Sequence, residues 1–525
     1  MSKKIFWLIF VLAFILRFYK LGQIPLSLNW DEVSNAYNAY SILKTGRDEY
    51  GSFLPLTNRS FDDYKPPLYM YLNTFSVGAF GLTPFSARLP SAFFGLLSVP
   101  LVCFLTKLVF EKSIKRESMA LLSMFLFAIL PWHLQFSRIG FEANVGMFMS
   151  LAFIVFFLYG LKKNIYLILA ALFFGAGLYS YHAQRIFLPL FSIALIYLFK
   201  REIVRIPKKF TLGFVILIIA SALTLFVFLP QKAIFNRLET SSLISEENRK
   251  KEISLLTTES LSNFVNNKYI NLGSKYLENY LSNFSPNFLF VKGDGNLRHH
   301  IENNGMLSLF YLPILLTGLY LVLRNIDRRK SLLIIWLAVA PLPAAPVFPA
   351  PHAIRSNLLM VPMVMILAFG FYTIFSRKLW GAIAPLVIGV WMTLSLMAYL
   401  HNYYTHYAIH SAKEWQYGYK EAAIESEKLK NSFDKVRISE DFEQAHIFWL
   451  FYTKYDPSSF QKYGNRGQFD KFYFGQKKSD VELSKNESEL FVSYAETFPE
   501  DFKVLKTIYY PDNSEAIKLG FYEKQ

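Results

Sequence analysis

The chain has 525 residues, of which 53% are hydrophobic and 18% are charged, and its formal net charge is +16. The charged fraction lies below the roughly 25% that is usual in soluble proteins, and the apolar residues fall in long runs, so the composition excludes an ordinary soluble enzyme. In such a chain the positive charge has a role in membrane topology, which is a simpler explanation than nucleic-acid binding. The single cysteine, Cys103, excludes an intramolecular disulfide.

The N-terminus has the pattern of a first membrane helix. Lys3 and Lys4 precede an apolar run over residues 5–16, as in a signal peptide. The residues that follow, 21–25, make a poor cleavage site because they lack the small-x-small pattern. We therefore expect an uncleaved helix with its N-terminus in the cytoplasm.

Apolar runs of about 18 or more residues predict transmembrane helices. Some shorter apolar runs are also predicted to cross the membrane, because the chain must pass alternately from one side of the bilayer to the other. The eleven predicted spans are 5–20, 88–109, 118–133, 143–161, 165–181, 186–199, 211–229, 306–323, 331–349, 356–375 and 379–400. With the N-terminus inside, every short Lys/Arg cluster falls on the cytoplasmic side, as the positive-inside rule requires. The sequence therefore predicts a polytopic protein of the plasma (inner) membrane.

One apolar stretch, 66–80, is not predicted to cross the membrane. A crossing at this point would place every later loop on the opposite side of the bilayer. We predict that it forms an amphipathic helix lying in the outer interface. Three regions then face the extracytoplasmic side: a loop at 21–87, a loop at 230–305, and a C-terminal domain at 401–525. The predicted transmembrane module is 1–400.

The C-terminal domain is more polar than the rest and alternates helical and strand-like patterns. A helix is predicted over 412–429. Strands are predicted over 435–439, 490–494 and 503–510. The domain is thus expected to be a small α/β unit.

Two adjacent carboxylates, Asp31 and Glu32, follow the first helix. Ionisable groups at a membrane surface are candidates for function, and a carboxylate can accept a proton from an attacking hydroxyl. The alternative is that they form a solvated pair that caps the next helix. Sequence spacing alone leaves both interpretations open.

Lys65 precedes Pro66 and Pro67 at the start of the predicted interfacial helix. A lysine in this position can contact a lipid phosphate. The alternative is a snorkelling lysine, which covers apolar surface with its stem and keeps its amino group in water.

Two outer turns carry further polar candidates. Arg138 and Glu142 lie in the first turn, although their spacing would also suit a simple i,i+4 ion pair. His182 and Arg185 lie in the second, where neighbouring aromatic residues could stack on a sugar. A lone histidine in such a turn is more often a structural residue.

His352 and Arg355 occupy a third outer turn, which is rich in proline and resembles a re-entrant segment. Together these outer turns predict a cavity lined by cations, which would hold a phosphate leaving group and stabilise its developing charge. The histidines are dispersed and lack a zinc-ligand spacing, so the sequence predicts no metal and no other cofactor.

At this point the motifs, in their order and spacing, resemble the GT-C superfamily of membrane glycosyltransferases, and in particular the branch with protein O-mannosyltransferases and the lipid A aminoarabinose transferase. The resemblance covers about residues 1–420. It rests on Trp30-Asp31-Glu32, Lys65-Pro66-Pro67-Leu68-Tyr69, Ala87-Arg88-Leu89-Pro90-Ser91, the Arg138/Glu142 turn, Gly177-Leu178-Tyr179-Ser180-Tyr181-His182, Leu289-Phe290-Val291-Lys292-Gly293-Asp294 and Pro351-His352-Ala353-Ile354-Arg355.

The resemblance implies an α-helical GT-C bundle with outer juxtamembrane helices, and a polyprenyl-phosphate sugar as the donor. It implies an inverting single displacement in which Asp31, or next Glu32, is the general base and Lys65 lies near the donor phosphate. One departure is Tyr64, which stands where the aminoarabinose transferase has a glutamate; this puts in doubt the same sugar specificity and a metal contact at this point. The acceptor could be a glycolipid, an envelope polysaccharide or a protein.

Two other classes of function stay open at this point. A lipid-linked sugar flippase or transporter would be expected to have internal repeats and polar groups near the bilayer midplane; here the polar groups gather at one face and no repeat is visible. An inactive glycan-binding subunit could keep the same fold without activity.

Overall fold

The computed structural model describes residues 2–61, 63–228, 268–375, 383–477, 480 and 488–523. The first half of the predicted loop at 230–305, residues 230–267, therefore lies outside the described residues. The chain divides into two compact units. We call the first the bundle unit (Met1–Tyr19, Asp63–Leu68 and Ser91–Asn402) and the second the sheet unit (Lys20–Asp62, Tyr69–Pro90 and Tyr403–Gln525).

The α-helices are α1 Ser2–Phe18, α2 Trp30–Thr45, α3 Leu68–Phe80, α4 Pro84–Val109, α5 Arg116–Ile129, α6 Pro131–Ser137, α7 Glu142–Gly160, α8 Tyr166–Leu178, α9 Gln184–Ile203, α10 Lys208–Phe228, α11 Lys268–Ser282, α12 Tyr311–Arg324, α13 Ser331–Val339, α14 Met360–Phe375, α15 Ile383–His401, α16 Tyr407–His410, α17 Tyr419–Leu429, α18 Ala445–Tyr452 and α19 Pro457–Tyr463. The strands are β1 Asn58–Ser60, β2 Asp63–Lys65, β3 Lys435–Ser439, β4 Gln468–Phe469, β5 Phe472–Gln476, β6 Glu489–Tyr494, β7 Phe502–Tyr509 and β8 Glu515–Tyr522.

Each of the eleven predicted spans contains a helix. Among the described residues, five helices are long and apolar enough to cross a membrane, or six if the bent pair α5 and α6 forms one span. The other spans correspond to helices of 17 residues or fewer, except α9, which has 20 residues but includes Pro189 and the charged residues Lys200 and Arg201. The predicted helix at 66–80 is confirmed as α3, which begins at Leu68 after two prolines.

Proline accounts for two departures from straight spans. The predicted span 118–133 is bent by 59° between α5 and α6, where Pro131 begins the second helix. The predicted span 331–349 is helical only as far as Val339, because Pro341, Pro343 and Pro346 lack the N–H groups that would continue it. These breaks leave irregular backbone next to helix ends.

The apolar helices of the bundle unit differ in what surrounds them. In the most apolar 18-residue stretch of α7, 89% is buried inside the protein. The corresponding share in α10 is only 11%. A helix that is apolar on all sides must be enclosed by protein or by lipid. The exposed apolar side chains of α10 are therefore consistent with lipid contact, and α7 forms the centre of its unit.

Glycines permit a close crossing between α12 and α14. A side chain at Gly318 would place its Cβ 2.2 Å from the carbonyl oxygen of Ile366, and one at Gly370 would lie 2.5 Å from that of Ile314. Small residues at such a crossing let two backbones approach closely, which is a common device in membrane helix packing.

The sheet unit contains a six-stranded sheet in the order β4-β5-β3-β6-β8-β7. The central strand β3 runs parallel to β5 and β6, and the other pairings are antiparallel. The strands predicted at 435–439, 490–494 and 503–510 correspond to β3, β6 and β7. This confirms the predicted α/β character of the C-terminal region.

The core of the sheet unit also includes the first loop. Leu28, Val33 and Tyr37 belong to the same buried apolar cluster as Ile438 and Trp449. Helix α2 packs directly against α18 and α19. Residues 20–62 and 69–90 thus fold with residues 403–525, whereas the predicted boundary grouped the first loop with the transmembrane module.

Candidate active site

Helix α2 presents the first pair of predicted catalytic residues. The side-chain oxygen of Asn29 accepts hydrogen bonds from the backbone N–H groups of Asp31 (2.8 Å) and Glu32 (3.1 Å). In return, the Glu32 carboxylate accepts a hydrogen bond from the Asn29 backbone N–H (3.1 Å), which completes a capping box. Asp31 contributes only its backbone to this cap, and its side chain is half-buried.

Glu32 forms a buried ion pair with Arg88. The Nε atom of Arg88 lies 2.9 Å from Glu32 Oε1, and both side chains are fully buried. The other guanidinium N–H groups donate to the carbonyl oxygens of Leu21, Pro25 and Ser27. Glu32 is therefore not part of a solvated pair, and its two oxygens are engaged in structural contacts. This geometry favours Asp31 over Glu32 as a proton acceptor.

A second buried acid, Glu49, was not singled out from the sequence. Its Oε1 accepts a hydrogen bond from Asn38 (2.9 Å), and its Oε2 lies 4.0 Å from Nε2 of the buried His446. Burial, reinforced by the neighbouring Asp48 carboxylate, raises the pKa of Glu49 to about 7, although the Asn38 hydrogen bond opposes this shift. Burial and the charge of Arg466 lower the pKa of His446 to about 3.

We expect Glu49→Gln to increase stability at pH 8 but not at pH 4.5. Because the pKa of Glu49 rises from 4.5 to about 7 on folding, the folded state retains a proton that the unfolded state has released. The contribution of Glu49 to the unfolding free energy therefore falls as the pH rises through this window, by about 3 kcal/mol in total. Glutamine stays neutral and can keep the bond to Asn38.

The measurement is the thermal unfolding midpoint of the detergent-solubilised wild type and variant between pH 4.5 and 8. The matched control is Glu500→Gln, which changes an exposed acid in the same unit. A constant difference between wild type and Glu49→Gln at all pH values would contradict the raised pKa.

Lys65 lies at the end of β2, directly before Pro66 and Pro67. Lys65 is only 5% exposed. A snorkelling lysine would extend its amino group into water, so this burial disagrees with the snorkelling alternative. Its segment is joined to a second predicted turn, because the backbone N–H of Leu68 donates to the carbonyl oxygen of Tyr179 (3.0 Å).

Arg138 and Glu142 flank the turn between α6 and α7. Arg138 is the C-cap residue of α6 and Glu142 is the first residue of α7, so the pair is not an i,i+4 pair on one helix. Both are buried. The Nη1 atom of Arg138 donates to the carbonyl oxygens of Leu16 (2.9 Å) and Arg17 (3.1 Å), which fixes the guanidinium at the end of α1.

His182 and Arg185 lie at the start of α9. The Nε atom of Arg185 donates to the carbonyl oxygen of Leu178 (3.2 Å), and its Nη1 lies 3.4 Å from His182 Nδ1. Both side chains are half-buried. The turn thus holds a guanidinium in place at the junction of α8 and α9.

Apolar contacts bring the three turns together inside the bundle unit. Ala143, Tyr181 and Ala183 form one buried cluster, and Ile354 packs against it. The Asn357 side chain also donates to the carbonyl oxygen of Ala143 (2.9 Å). The turns that carry Arg138, Arg185 and Arg355 are therefore neighbours, as the sequence analysis expected.

Asp294 and His299 are additional polar residues in this region that the sequence analysis did not predict as site residues, although Asp294 ends one of the motifs that carry the resemblance. Asp294 Oδ2 accepts a hydrogen bond from the backbone N–H of Ala353 (2.8 Å) and lies 2.6 Å from His299 Nδ1. Burial alone would raise the pKa of Asp294, but the neighbouring His299 and His352 and the Ala353 N–H hold the pKa of this carboxyl well below its usual value. A polar Gly-Asp-Gly turn followed by two histidines was the available sequence signal.

The bundle unit thus gathers five polar segments, and four of them supply the cations predicted from the sequence: Lys65, Arg138, Arg185 and Arg355. Cationic groups that are fixed in position before a reaction can stabilise an anionic leaving group without reorganising. The arrangement suits the binding of a phosphate ester. Among the site residues predicted from the sequence that lie in these five segments, Glu142 is the one acid.

The comparisons with known proteins agree with the resemblance found from the motifs. Residues 64–226 match the family model described as dolichyl-phosphate-mannose-protein mannosyltransferase. No curated protein sequence is a significant match.

Solved structures share the fold over the whole chain. ArnT from Cupriavidus metallidurans in the apo state is 11% identical with a TM-score of 0.55, and the match covers 100% of both chains. The same protein bound to undecaprenyl phosphate is 11% identical with a TM-score of 0.56, covering 99% of both. The predicted GT-C fold is therefore confirmed.

Proposed function

We propose that this multi-pass membrane protein, which has the GT-C fold and matches the protein mannosyltransferase model over residues 64–226, is an inverting glycosyltransferase. It transfers one sugar, a hexose or a pentose, from a polyprenyl-phosphate donor to a hydroxyl acceptor on the extracytoplasmic face. No metal is assigned to this step. The observation that carries the proposal is the convergence of basic turns within the bundle unit.

The donor phosphate is held by cations in this proposal. Lys65, Arg185 and Arg355 contact its oxygens, and Arg138 supports the same site from α6. Glu142 and the histidines His182 and His352 orient these groups or the sugar. Undecaprenyl phosphate in the ArnT structure supports a lipid-phosphate ligand for this fold.

The transfer step is a single displacement. The acceptor oxygen forms a bond to the anomeric carbon while the bond from that carbon to the phosphate oxygen breaks. The acceptor proton passes to the Asp31 carboxylate. The bonding electrons leave with the polyprenyl phosphate, whose added negative charge the cations stabilise. Because the attack comes from the face opposite the leaving group, the anomeric configuration inverts.

The test of this function uses the full-length protein reconstituted in liposomes. It is incubated with a panel of polyprenyl-phosphate hexoses, pentoses and amino sugars, and membrane extract supplies the acceptors. We expect release of free polyprenyl phosphate from at least one donor. Movement of intact donor across the bilayer without release would instead support a flippase, and donor or glycan binding with neither release nor movement would support a binding subunit.

We expect Lys65→Ala to lower kcat/KM for the donor by roughly 10- to 100-fold, because a hydrogen bond to a charged phosphate contributes about 1.5–3 kcal/mol. Lys65→Arg should retain more activity, since it keeps the charge. The matched control is Lys420→Ala, which removes an exposed lysine of α17. Equal kcat/KM values for Lys65→Ala and the wild type would contradict a donor contact.

A further inference from the structure

We infer that Asp294, His299 and His352 form a binding site for one divalent transition-metal ion, with Zn²⁺ as the best-matched probe. Each residue offers one ligand atom, and these three atoms all lie within 4.8 Å of one another. Separations of this size allow a single ion to contact all three after small side-chain movements. The inference concerns metal binding and is independent of the proposed transfer activity.

The ligand set determines the class of ion. Two imidazole nitrogens and one carboxylate oxygen suit zinc and other first-row transition metals, whereas Mg²⁺ and Ca²⁺ prefer oxygen ligands. Three protein ligands leave a fourth position open on a tetrahedral zinc ion, as in zinc sites that bind a further ligand. The side chains of Asp294 and His299 are 3% and 5% exposed, so these two ligands lie in a buried environment.

The residues around the cluster hold it in place. The Nε2 atom of His300 lies 2.7 Å from the backbone oxygen of Asp294, and the backbone N–H of Asn296 donates to Asp294 Oδ1 (3.0 Å). Gln135 donates to the carbonyl oxygen of Arg298 (2.9 Å), which ties the loop to α6. Such supporting hydrogen bonds orient ligands and are a regular part of metal sites.

Aromatic and backbone contacts restrict the histidines further. The rings of Phe136 and Phe141 lie edge-on to His299, with centroids 6.0 and 6.3 Å away. Gly293 has a positive φ of 77°, and a Cβ there would lie 2.7 Å from the His300 ring, so this turn requires glycine. The loop is thus shaped to bring Asp294 and His299 against the His352 turn.

The spacing of these residues did not predict a metal site, because His352 is far from the other two residues along the chain. A purely structural explanation is that Asp294 only links the two segments by hydrogen bonds to His299 and Ala353. The two explanations differ in a measurable way. A structural link needs no ion, whereas a metal site binds one ion per chain and loses it when either histidine is removed.

The test measures zinc content directly. Protein purified in detergent without a histidine tag is treated with a chelator, dialysed against Zn²⁺ and then against metal-free buffer, and analysed by elemental mass spectrometry. We expect about one zinc per wild-type chain. His299→Gln, His352→Gln and Asp294→Asn should each lower the affinity for zinc at least tenfold, because even the loss of a group that only supports a ligand costs about 10- to 100-fold.

The matched control is His401→Gln, which removes an exposed histidine at the end of α15; it should keep the wild-type zinc content. Size-exclusion profiles in detergent identify variants that fail to fold, and the absorption spectrum of bound Co²⁺ in the wild type reports its ligand set without any variant. Less than a tenth of a zinc ion per wild-type chain, or unchanged zinc affinity in the folded variants, would overturn the inference.

Discussion

Asp31→Asn is expected to lower the rate of sugar transfer by about 10²- to 10⁴-fold, which is the usual contribution of a general base. The substitution removes the proton-accepting oxygen and preserves the size of the side chain. Donor binding should change little, because the cations proposed to hold the phosphate are unchanged. The measurement is kcat and donor KM, with polyprenyl phosphate release as the signal.

The variant is expected to fold. Asp31 supports the cap of α2 through its backbone N–H, which donates to Asn29, and asparagine keeps this N–H group. The matched control is Glu500→Gln, an exposed acid of the same unit whose removal should leave kcat unchanged. Wild-type kcat in a folded Asp31→Asn protein would show that Asp31 is not the base.

Arg88→Met is expected to destabilise the protein by about 3–5 kcal/mol, because it leaves the carboxylate of Glu32 buried without its charged partner. The pair is fully buried, with 2.9 Å between Arg88 Nε and Glu32 Oε1. The double variant Glu32→Gln/Arg88→Met should recover part of this loss, since it removes the unpaired charge as well. The unfolding midpoint of each protein in detergent is the readout.

An exposed ion pair provides the matched control for this prediction. Lys503 and Glu523 lie 2.9 Å apart, but their side chains are 53% and 61% exposed. Exposed pairs of this kind contribute about 0–1 kcal/mol, so Lys503→Met should change the midpoint little. Similar midpoints for Arg88→Met and Lys503→Met would contradict a structural role for the buried pair.

The sequence predicted the helices well because apolar runs and prolines are local signals. Helix α3, predicted over 66–80 and observed from Leu68, and the strand β3 followed from such patterns. The shortening of α13 was missed, since hydropathy continues through Pro341 and Pro343 although the helix does not. Local patterns also could not show that residues 20–62 share a core with the C-terminal domain.

The candidate site was predicted in part for the same reason. Each polar turn is a local feature, so Lys65, Arg185 and Arg355 could be found by their surroundings in the sequence. The partner of Glu32 could not, because Arg88 is 56 residues away and only the folded chain brings them together. Asp294 is similar, since its contact with Ala353 spans 59 residues.

The most direct test of the central proposal is the anomeric configuration of the product. The wild-type protein is given a polyprenyl-phosphate sugar of a single known anomeric configuration, and the glycosylated product is analysed by NMR. A product with the opposite configuration is the predicted result, because a single displacement on a lipid-phosphate donor inverts the anomeric carbon. A product of retained configuration would contradict the single displacement, and the absence of any glycosylated product with every donor would contradict the transferase itself.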